Sequence, residues 1–258
     1  MGVIHKSEDM TREQRDPGMS RAGNTDEDVK QRSGWLIPIA VFIVTAGLSA
    51  LFLLYYLVPA PTSFIEEHAA PTSRTDSVSL TVNGTKFAIP ANYIMFARAR
   101  QGGALKEVQL FTTFPDFNGY SDWHASSFSG NAADSPVIFI LLREEQFKIG
   151  EAERLQRIYM TYVVDPAGKP GPFGLTQYVF RDDSGYHGED LFVGQNQGKT
   201  VVLRCVRFSP EVPSPSCLRD ERIGDGVSIS YRFKRANLGH WQEIVQGVDK
   251  LIASFRMK

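Results

Sequence analysis

The sequence is poor in cysteine, and several familiar motifs are missing from it. It has two cysteines in 258 residues, and two thiols at their spacing with no close histidine supply too few ligands for a metal site. It has no G-x-S-x-G nucleophile turn and no glycine-rich phosphate-binding loop. We therefore expect no metal and no other cofactor.

The sequence also lacks a surplus of either charge. Of its 28 Lys and Arg and 29 Asp and Glu residues, six bases and seven acids lie in residues 1–33, so the rest of the chain carries 22 of each. A protein that binds nucleic acid needs a basic surplus to displace counterions. We therefore expect no nucleic-acid partner and no electrostatic attachment to anionic lipid.

One long apolar run is present instead. From Trp35 to Val58 the chain has twenty-four residues without a charge, enough at ~1.5 Å of helical rise each to cross a ~30 Å hydrocarbon layer. Trp35 stands at one end and Tyr55 and Tyr56 near the other, as is typical of rings at membrane interfaces. We predict an uncleaved signal-anchor helix over residues 34–58, because the apolar core of a cleaved signal peptide is shorter.

The charges around this run predict its orientation. Lys30 and Arg32 lie just before it, whereas no Lys or Arg follows it until Arg74. Excess base marks the cytoplasmic side, so the N-terminus is expected inside and the rest outside. Few cysteines and few glycosylation motifs favour a bacterium. We predict a single-pass protein of the bacterial inner membrane with its C-terminal domain in the periplasm.

Composition divides the rest of the chain into three parts. Residues 1–33 are charged and poor in large apolar groups, which predicts a disordered cytoplasmic tail. Residues 59–77 are rich in Pro, Ala, Ser and Thr and predict a stalk. Residues 78–258 are enough for one periplasmic domain with its own core.

A patch of small residues lies within the apolar run. Small side chains let a second helix approach closely, so an oligomer through the transmembrane helix is an alternative to a lone helix. The patch consists of Thr45, Ala46, Gly47, Ser49 and Ala50. No full G-x-x-x-G motif is present, which favours the lone helix.

The two cysteines lie in neighbouring strand-like segments. Cys205 is in TVVLRCVRF and Cys217 is in SCLRDERI, and the connecting segment is SPEVPSPS. A hairpin folded about residue 211 places the two cysteines opposite each other. We predict a disulfide between them, since an oxidising compartment permits it; free buried thiols are expected if the domain is cytosolic.

Hydrophobic alternation predicts a mainly antiparallel sheet. The segment VSLTV-NG-TKFAI is a strong hairpin signal, because Asn83-Gly84 suits a type I′ turn. Further strands are predicted in EVQLFTTF, SPVIFILL, TQYVF, EDLFVG and VSISYRF, of which SPVIFILL reads as buried on both faces. Helical spacing occurs in IGEAERLQRIYM and in the segment after Asn237, a fair N-cap. The expected fold is α+β, with seven to nine strands and about two helices on one face.

In the segment of residues 111–128, aromatic residues recur at every third position from Phe111 to Trp123, and Phe128 follows. Phe117, Tyr120 and Trp123 are the candidates for partner binding, because exposed rings of this kind are enriched at interfaces. Pro115 and Gly119 interrupt the segment, so a loop packed by its own rings is the alternative.

One weak catalytic candidate overlaps this segment. Asp122, His124 and Ser126 resemble an acid, base and nucleophile set, but residues of a working triad normally come from separate elements. These residues leave open an envelope hydrolase, and the aromatic loop of residues 111–128 leaves open a cell-wall glycan-binding protein. The favoured interpretation is a non-enzymatic interaction module, either an accessory subunit of an envelope complex or a binder and inhibitor of a periplasmic protein.

Overall fold

The computed structural model describes most of the chain in two separate units. The described residues are 34–57, 68–145, 149–224 and 226–257, with residues 56 and 57 as backbone only. The units are Met1–Ile65 and Glu66–Lys258. The predicted tail, residues 1–33, and residues 59–67 of the predicted stalk lie outside the described residues.

The described part of the first unit, residues 34–57, contains helix α1 over Leu36–Leu57. Its 22 residues extend about 33 Å, and its composition is apolar enough for it to cross a membrane. Trp35 and Tyr55 lie near its two ends and are exposed. The side chain of Tyr56 is outside the described residues.

The second unit begins with a small three-stranded sheet. Its strands are β1 (Ser77–Val82), β2 (Thr85–Pro90) and β3 (Gly103–Leu105), in the order β2-β1-β3. The predicted hairpin is confirmed: β1 and β2 are antiparallel, and Asn83 and Gly84 have φ angles of 45° and 80° at the turn. These positive φ values are what an Asn-Gly pair readily adopts.

An antiparallel sheet of eight strands forms most of the domain, and the predicted α+β class is confirmed. The strands are β4 (Glu107–Thr113), β5 (Val137–Glu144), β6 (Lys169–Pro170), β7 (Thr176–Val179), β8 (Glu189–Asn196), β9 (Lys199–Val206), β10 (Ser216–Gly224) and β11 (Val227–Lys234). Their order is β4-β5-β11-β10-β9-β8-β7-β6. The helices are α2 (Ala125–Ser129), α3 (Glu151–Arg157) and α4 (Trp241–Phe255).

Helix α4 covers one face of this sheet. Its apolar stripe, which includes Ile244 and Val248, is buried in the main core with Leu203 and Tyr231. The predicted N-cap was wrong: a 3-10 segment precedes α4, which begins at Trp241. The Asn237 side chain instead donates to the Ser135 carbonyl.

Helix α3 lies on the opposite face, so the prediction of two helices on one face was wrong. Leu155 and Tyr159 belong to a second core that includes Leu191 and Val202. Consecutive residues of a strand point to opposite faces, and Leu203, next to Val202, is in the core beneath α4. The two cores therefore lie on opposite sides of the sheet.

The predicted disulfide is present in the structure. Cys205 on β9 lies directly opposite Cys217 on β10, and the two sulfur atoms are bonded. Both cysteines are fully buried. The only other paired position between these strands is Arg204 with Leu218, so β9 and β10 separate beyond this point.

A carboxylate from α3 fills the gap between the separating strands. Glu151 Oε1 accepts hydrogen bonds from the Val202 N–H of β9 (2.7 Å) and from Arg219 Nε of β10 (3.1 Å). Arg154, one turn along α3, donates to the Asp220 carbonyl of β10 (2.6 Å). Side chains of α3 thus replace part of the missing backbone ladder.

Arg219 is the centre of a buried charge cluster under α4. Its side chain is 1% exposed; it donates to the Tyr231 hydroxyl (3.1 Å) and lies 2.8 Å from Glu221 and 3.8 Å from Asp249. Burial raises the pKa of Glu221 to about 7; the positive charge of Arg219 opposes this effect, whereas the Asp249 and Glu151 carboxylates add to it.

Candidate groove on the large sheet

One row of directly opposed residues crosses the face of the large sheet that does not carry α4. The row consists of Phe111, Phe139, Arg232, Leu218, Arg204 and Leu191, on β4, β5, β11, β10, β9 and β8 in turn. Opposed side chains on adjacent strands are ~5 Å apart, so the row forms a continuous band. Its two ends are covered and its middle is open.

Aromatic rings cover the end of the row on β4. Phe111 is 2% exposed, because Phe128 and Tyr120 pack on it with ring centroids 4.8 Å and 6.4 Å away. Tyr120 and Phe128 also pack on each other, 5.3 Å apart. Helix α2 and the segment before it therefore close this side of the sheet.

The other end of the row is covered by the second core. Arg204 donates to Glu189 (2.9 Å), and its guanidinium lies 5.8 Å from the ring centre of Tyr159 and 5.3 Å from that of Tyr186. An arginine so paired and stacked is fixed in position.

The middle of the row is accessible, and we call it the groove. Its floor consists of Phe139, Arg232 and Leu218, with Gln109, Leu141 and Ser230 in the next row. A cavity of about 430 Å³ lies over these two rows and also touches Met95. A second cavity of about 380 Å³ extends from the floor towards Lys234 and Val212.

The exposure of Phe139 corrects the prediction that β5 is buried on both faces. Phe139 is 40% exposed, and Leu141 is half-buried, whereas their neighbours Ile138, Ile140 and Leu142 are fully buried in the main core, which also contains the apolar stripe of α4. The apolar run is continuous in sequence, but only one of its faces is enclosed.

Arg232 gives the groove a positive charge. Its side chain is exposed, and within the described part of the chain it makes no hydrogen bond or ion pair. Lys234 lies two residues further along β11; it is buried and donates hydrogen bonds to Asn131 and Ser214. Burial lowers the pKa of Lys234, and the nearby Arg232 charge lowers it further. The bonds of Lys234 hold the loops around Asn131 and Ser214 together at the edge of the groove.

The three aromatic residues predicted to bind a partner lie in different environments. Phe117 packs on Phe114 (6.1 Å) and on the backbone of α4 at Gly247, and the Tyr93 hydroxyl donates to its carbonyl. Tyr120 packs on Phe111. Trp123 is 93% exposed. Phe117 and Tyr120 are thus half-buried against other rings, and Trp123 is the most accessible of the three rings.

The weak catalytic candidates are all on the surface. Asp122, His124 and Ser126 are exposed, and the only side-chain hydrogen bond of His124 among the described residues joins its Nδ1 to Ser121 Oγ (3.0 Å). The structure therefore brings neither Asp122 nor Ser126 to the imidazole. No group of three or more potential metal-ligating side chains occurs among the described residues.

Comparison with known proteins gives likenesses of fold. No family model matches the chain, and no curated protein matches it. The immunity protein Smlt3025 of the Stenotrophomonas maltophilia type IV secretion system is similar in structure, with a TM-score of 0.51 and 18% identity over 71% of this chain and 94% of that protein. The Neisseria meningitidis iron-regulated outer membrane lipoprotein FrpD has a TM-score of 0.43 and 16% identity over 72% and 96% of the two chains.

Proposed function

We propose that the protein is a single-pass inner-membrane protein whose periplasmic domain binds and neutralises another protein in that compartment. The apolar helix α1 and the bases Lys30 and Arg32 before it support the location. The described fold resembles that of an immunity protein of a type IV secretion system, and this likeness supports the proposed binding function.

The groove is the observation that carries the proposal. An exposed phenylalanine and a half-buried leucine on either side of an arginine, Phe139, Leu218 and Arg232, form a floor of residue types suited to protein interfaces. The floor lies on paired strands of a rigid sheet, so little ordering entropy is lost when a partner binds.

Photocrosslinking in intact cells tests this function. Benzoylphenylalanine at Phe139 preserves an aromatic ring in the groove, and we expect it to form an adduct with a second protein after irradiation. Phe173, a 59% exposed ring whose carbonyl accepts from Trp241 at the start of α4, provides the matched control position. Equal adducts at both positions, or none at position 139, would contradict the proposal.

A reporter fusion tests the location separately. Alkaline phosphatase becomes active only after export, because it needs disulfides that form outside the cytosol. Fused at the C-terminus of the full chain, it is expected to be active, and a cytosolic reporter at the same position is expected to be inactive. The reverse pattern would place the domain in the cytosol.

The exposed Trp123 favours one alternative, a glycan-binding domain. Aromatic rings provide flat surfaces for sugars, and Asp116, Asn118 and Asp122 supply polar groups in the same segment. This alternative predicts that the domain sediments with purified cell-wall sacculi and that Trp123→Ala abolishes this. The favoured function predicts that neither the wild-type domain nor the Trp123→Ala variant sediments with sacculi.

A further inference from the structure

We infer that the partner contacts the groove with an acidic segment, in which an Asp or Glu carboxylate pairs with Arg232 and an adjacent apolar side chain packs on Phe139. This inference rests on the proposed protein-binding function and specifies the chemistry of the partner.

The carboxylates nearest the floor already have partners. Glu189 accepts from Arg204 (2.9 Å). Asp220 accepts from the Ser230 hydroxyl and lies 3.9 Å from the same arginine. Arg232 has no such partner among the described residues. The charge of Arg232 is therefore available to a group that comes from outside the groove.

The second cation at the groove is also uncompensated. Lys234 is 7% exposed, and its hydrogen-bond partners among the described residues are the neutral oxygens of Asn131 and Ser214. Two positive side chains on the same face of β11 therefore lie without a carboxylate between them. A carboxylate bound at Arg232 would reduce the repulsion between these two charges.

The apolar side chains beside Arg232 favour a single carboxylate on a protein segment over a polyanion. Phe139 and Leu218 lie on either side of it in the row, so a bound group is partly shielded from water, which strengthens its ion pair. A planar guanidinium can bind one carboxylate through two parallel hydrogen bonds. A polyanion such as nucleic acid needs many cations over a wide surface, whereas the domain as a whole is formally neutral.

The groove is short in the direction across the strands. Phe139 and Leu218 are separated by two strand spacings, or about 10 Å, which corresponds to about three residues of an extended segment. One acidic and one apolar side chain are enough to fill that length. The contact is therefore expected to depend on one central carboxylate.

Charge reversal at Arg232 tests the inference in the full chain in its membrane. With benzoylphenylalanine at position 139 as the probe, Arg232→Glu is expected to lower the adduct yield by roughly 30-fold or more, since like charges would then meet. The matched control is Lys86→Glu, an exposed cation on β2 of the small sheet, which should not change the yield. Circular dichroism of each variant checks that the fold is intact.

The partner side of the contact provides the second arm of the test. Mass spectrometry of the crosslinked peptide is expected to show Asp or Glu within a few residues of the attachment site, and its replacement by Lys should restore the adduct with Arg232→Glu. An adduct that survives Arg232→Glu would overturn the acidic-segment inference and leave the proposed function standing. If the chain that carries benzoylphenylalanine at position 139 but not Arg232→Glu gives no adduct, both the inference and the proposed function are overturned. An adduct between two copies of this chain would overturn the proposed binding of another protein.

Discussion

Phe111 and Phe139 face each other across β4 and β5 on the same side of the sheet, yet Phe111 is 2% exposed and Phe139 is 40% exposed. The difference arises because Tyr120 and Phe128 pack on the first ring and stop short of the second. The edge of this aromatic cover is the edge of the groove.

These two phenylalanines are expected to differ in their contribution to stability. Phe111→Ala should lower the free energy of unfolding by about 3–5 kcal/mol, because it leaves a cavity under two rings. Phe139→Ala should cost less than about 1 kcal/mol, because much of its ring is already in water. Urea unfolding of the full chain in detergent, followed by near-ultraviolet circular dichroism, measures both; equal losses would mean that Phe139 is a core residue.

Removal of the Glu151 carboxylate is expected to destabilise the domain. Glu151→Ala leaves the Val202 N–H without its partner and removes one of the carboxylates around buried Arg219. We expect the free energy of unfolding to fall by about 3 kcal/mol or more. The control is Glu153→Ala on the same helix, which removes only an exposed pair with Arg157 and should cost under about 0.5 kcal/mol.

The raised pKa of Glu221 predicts a dependence of stability on pH. A carboxyl whose pKa is about 7 when folded and 4.5 when unfolded binds its proton more tightly in the folded state. Its contribution is complete below pH 4.5 and is lost as pH rises to 7, with a total on the order of 3 kcal/mol. Glu221→Gln cannot titrate, so the unfolding free energy of wild type relative to this variant should fall from pH 4.5 to 8. If the unfolding free energies of wild type and Glu221→Gln changed with pH in the same way, the raised pKa of Glu221 would be contradicted.

The disulfide is expected to stabilise the domain and to report on its compartment. The bond closes a loop between cysteines 12 residues apart, so the double variant Cys205→Ala, Cys217→Ala should lose about 3 kcal/mol of unfolding free energy. Protein purified from membranes, denatured without reductant and treated with iodoacetamide should gain no label, and reduced protein should gain two. Labelling before reduction would indicate that the thiols are free.

The parts of the fold that were predicted correctly depend on local signals. The Asn83-Gly84 turn and the two strands beside it follow from the φ preferences of two residues and from alternation. The pairing of Cys205 with Cys217 follows from a short connection between two strands. The apolar helix α1 follows from the length of the uncharged run. None of these requires knowledge of distant contacts.

The open face could not be predicted because distant contacts determine it. The run VIFILL in β5 is apolar on both sides, and nothing within it shows that Ile138 and Ile140 are buried in the main core while Phe139 is left exposed. One signal was present in the next strand along the sheet: β11 reads VSISYRFK, in which Ser228, Ser230 and Arg232 alternate with apolar residues. That alternation indicates a face that is not fully buried.

The start of α4 illustrates a second limit. Asn237 suits an N-cap by type, but its amide instead donates to the Ser135 carbonyl, in the segment that leads into β5. The Asn237 side chain therefore makes a tertiary hydrogen bond and does not cap α4. The helix begins four residues later, at Trp241. The capping signal could not reveal this competing acceptor.

Hydroxyl-radical footprinting of the full chain, with and without the protein identified by crosslinking, tests the binding face most directly. Radicals oxidise exposed aromatic and methionine side chains, so Phe139 and Met95 in the groove can be compared with Phe173 and Met257 outside it. We predict that the partner protects Phe139 and Met95 several-fold and leaves Phe173 and Met257 unchanged. Unchanged oxidation of Phe139, with protection confined to Trp123 or to the α4 side, would contradict the account.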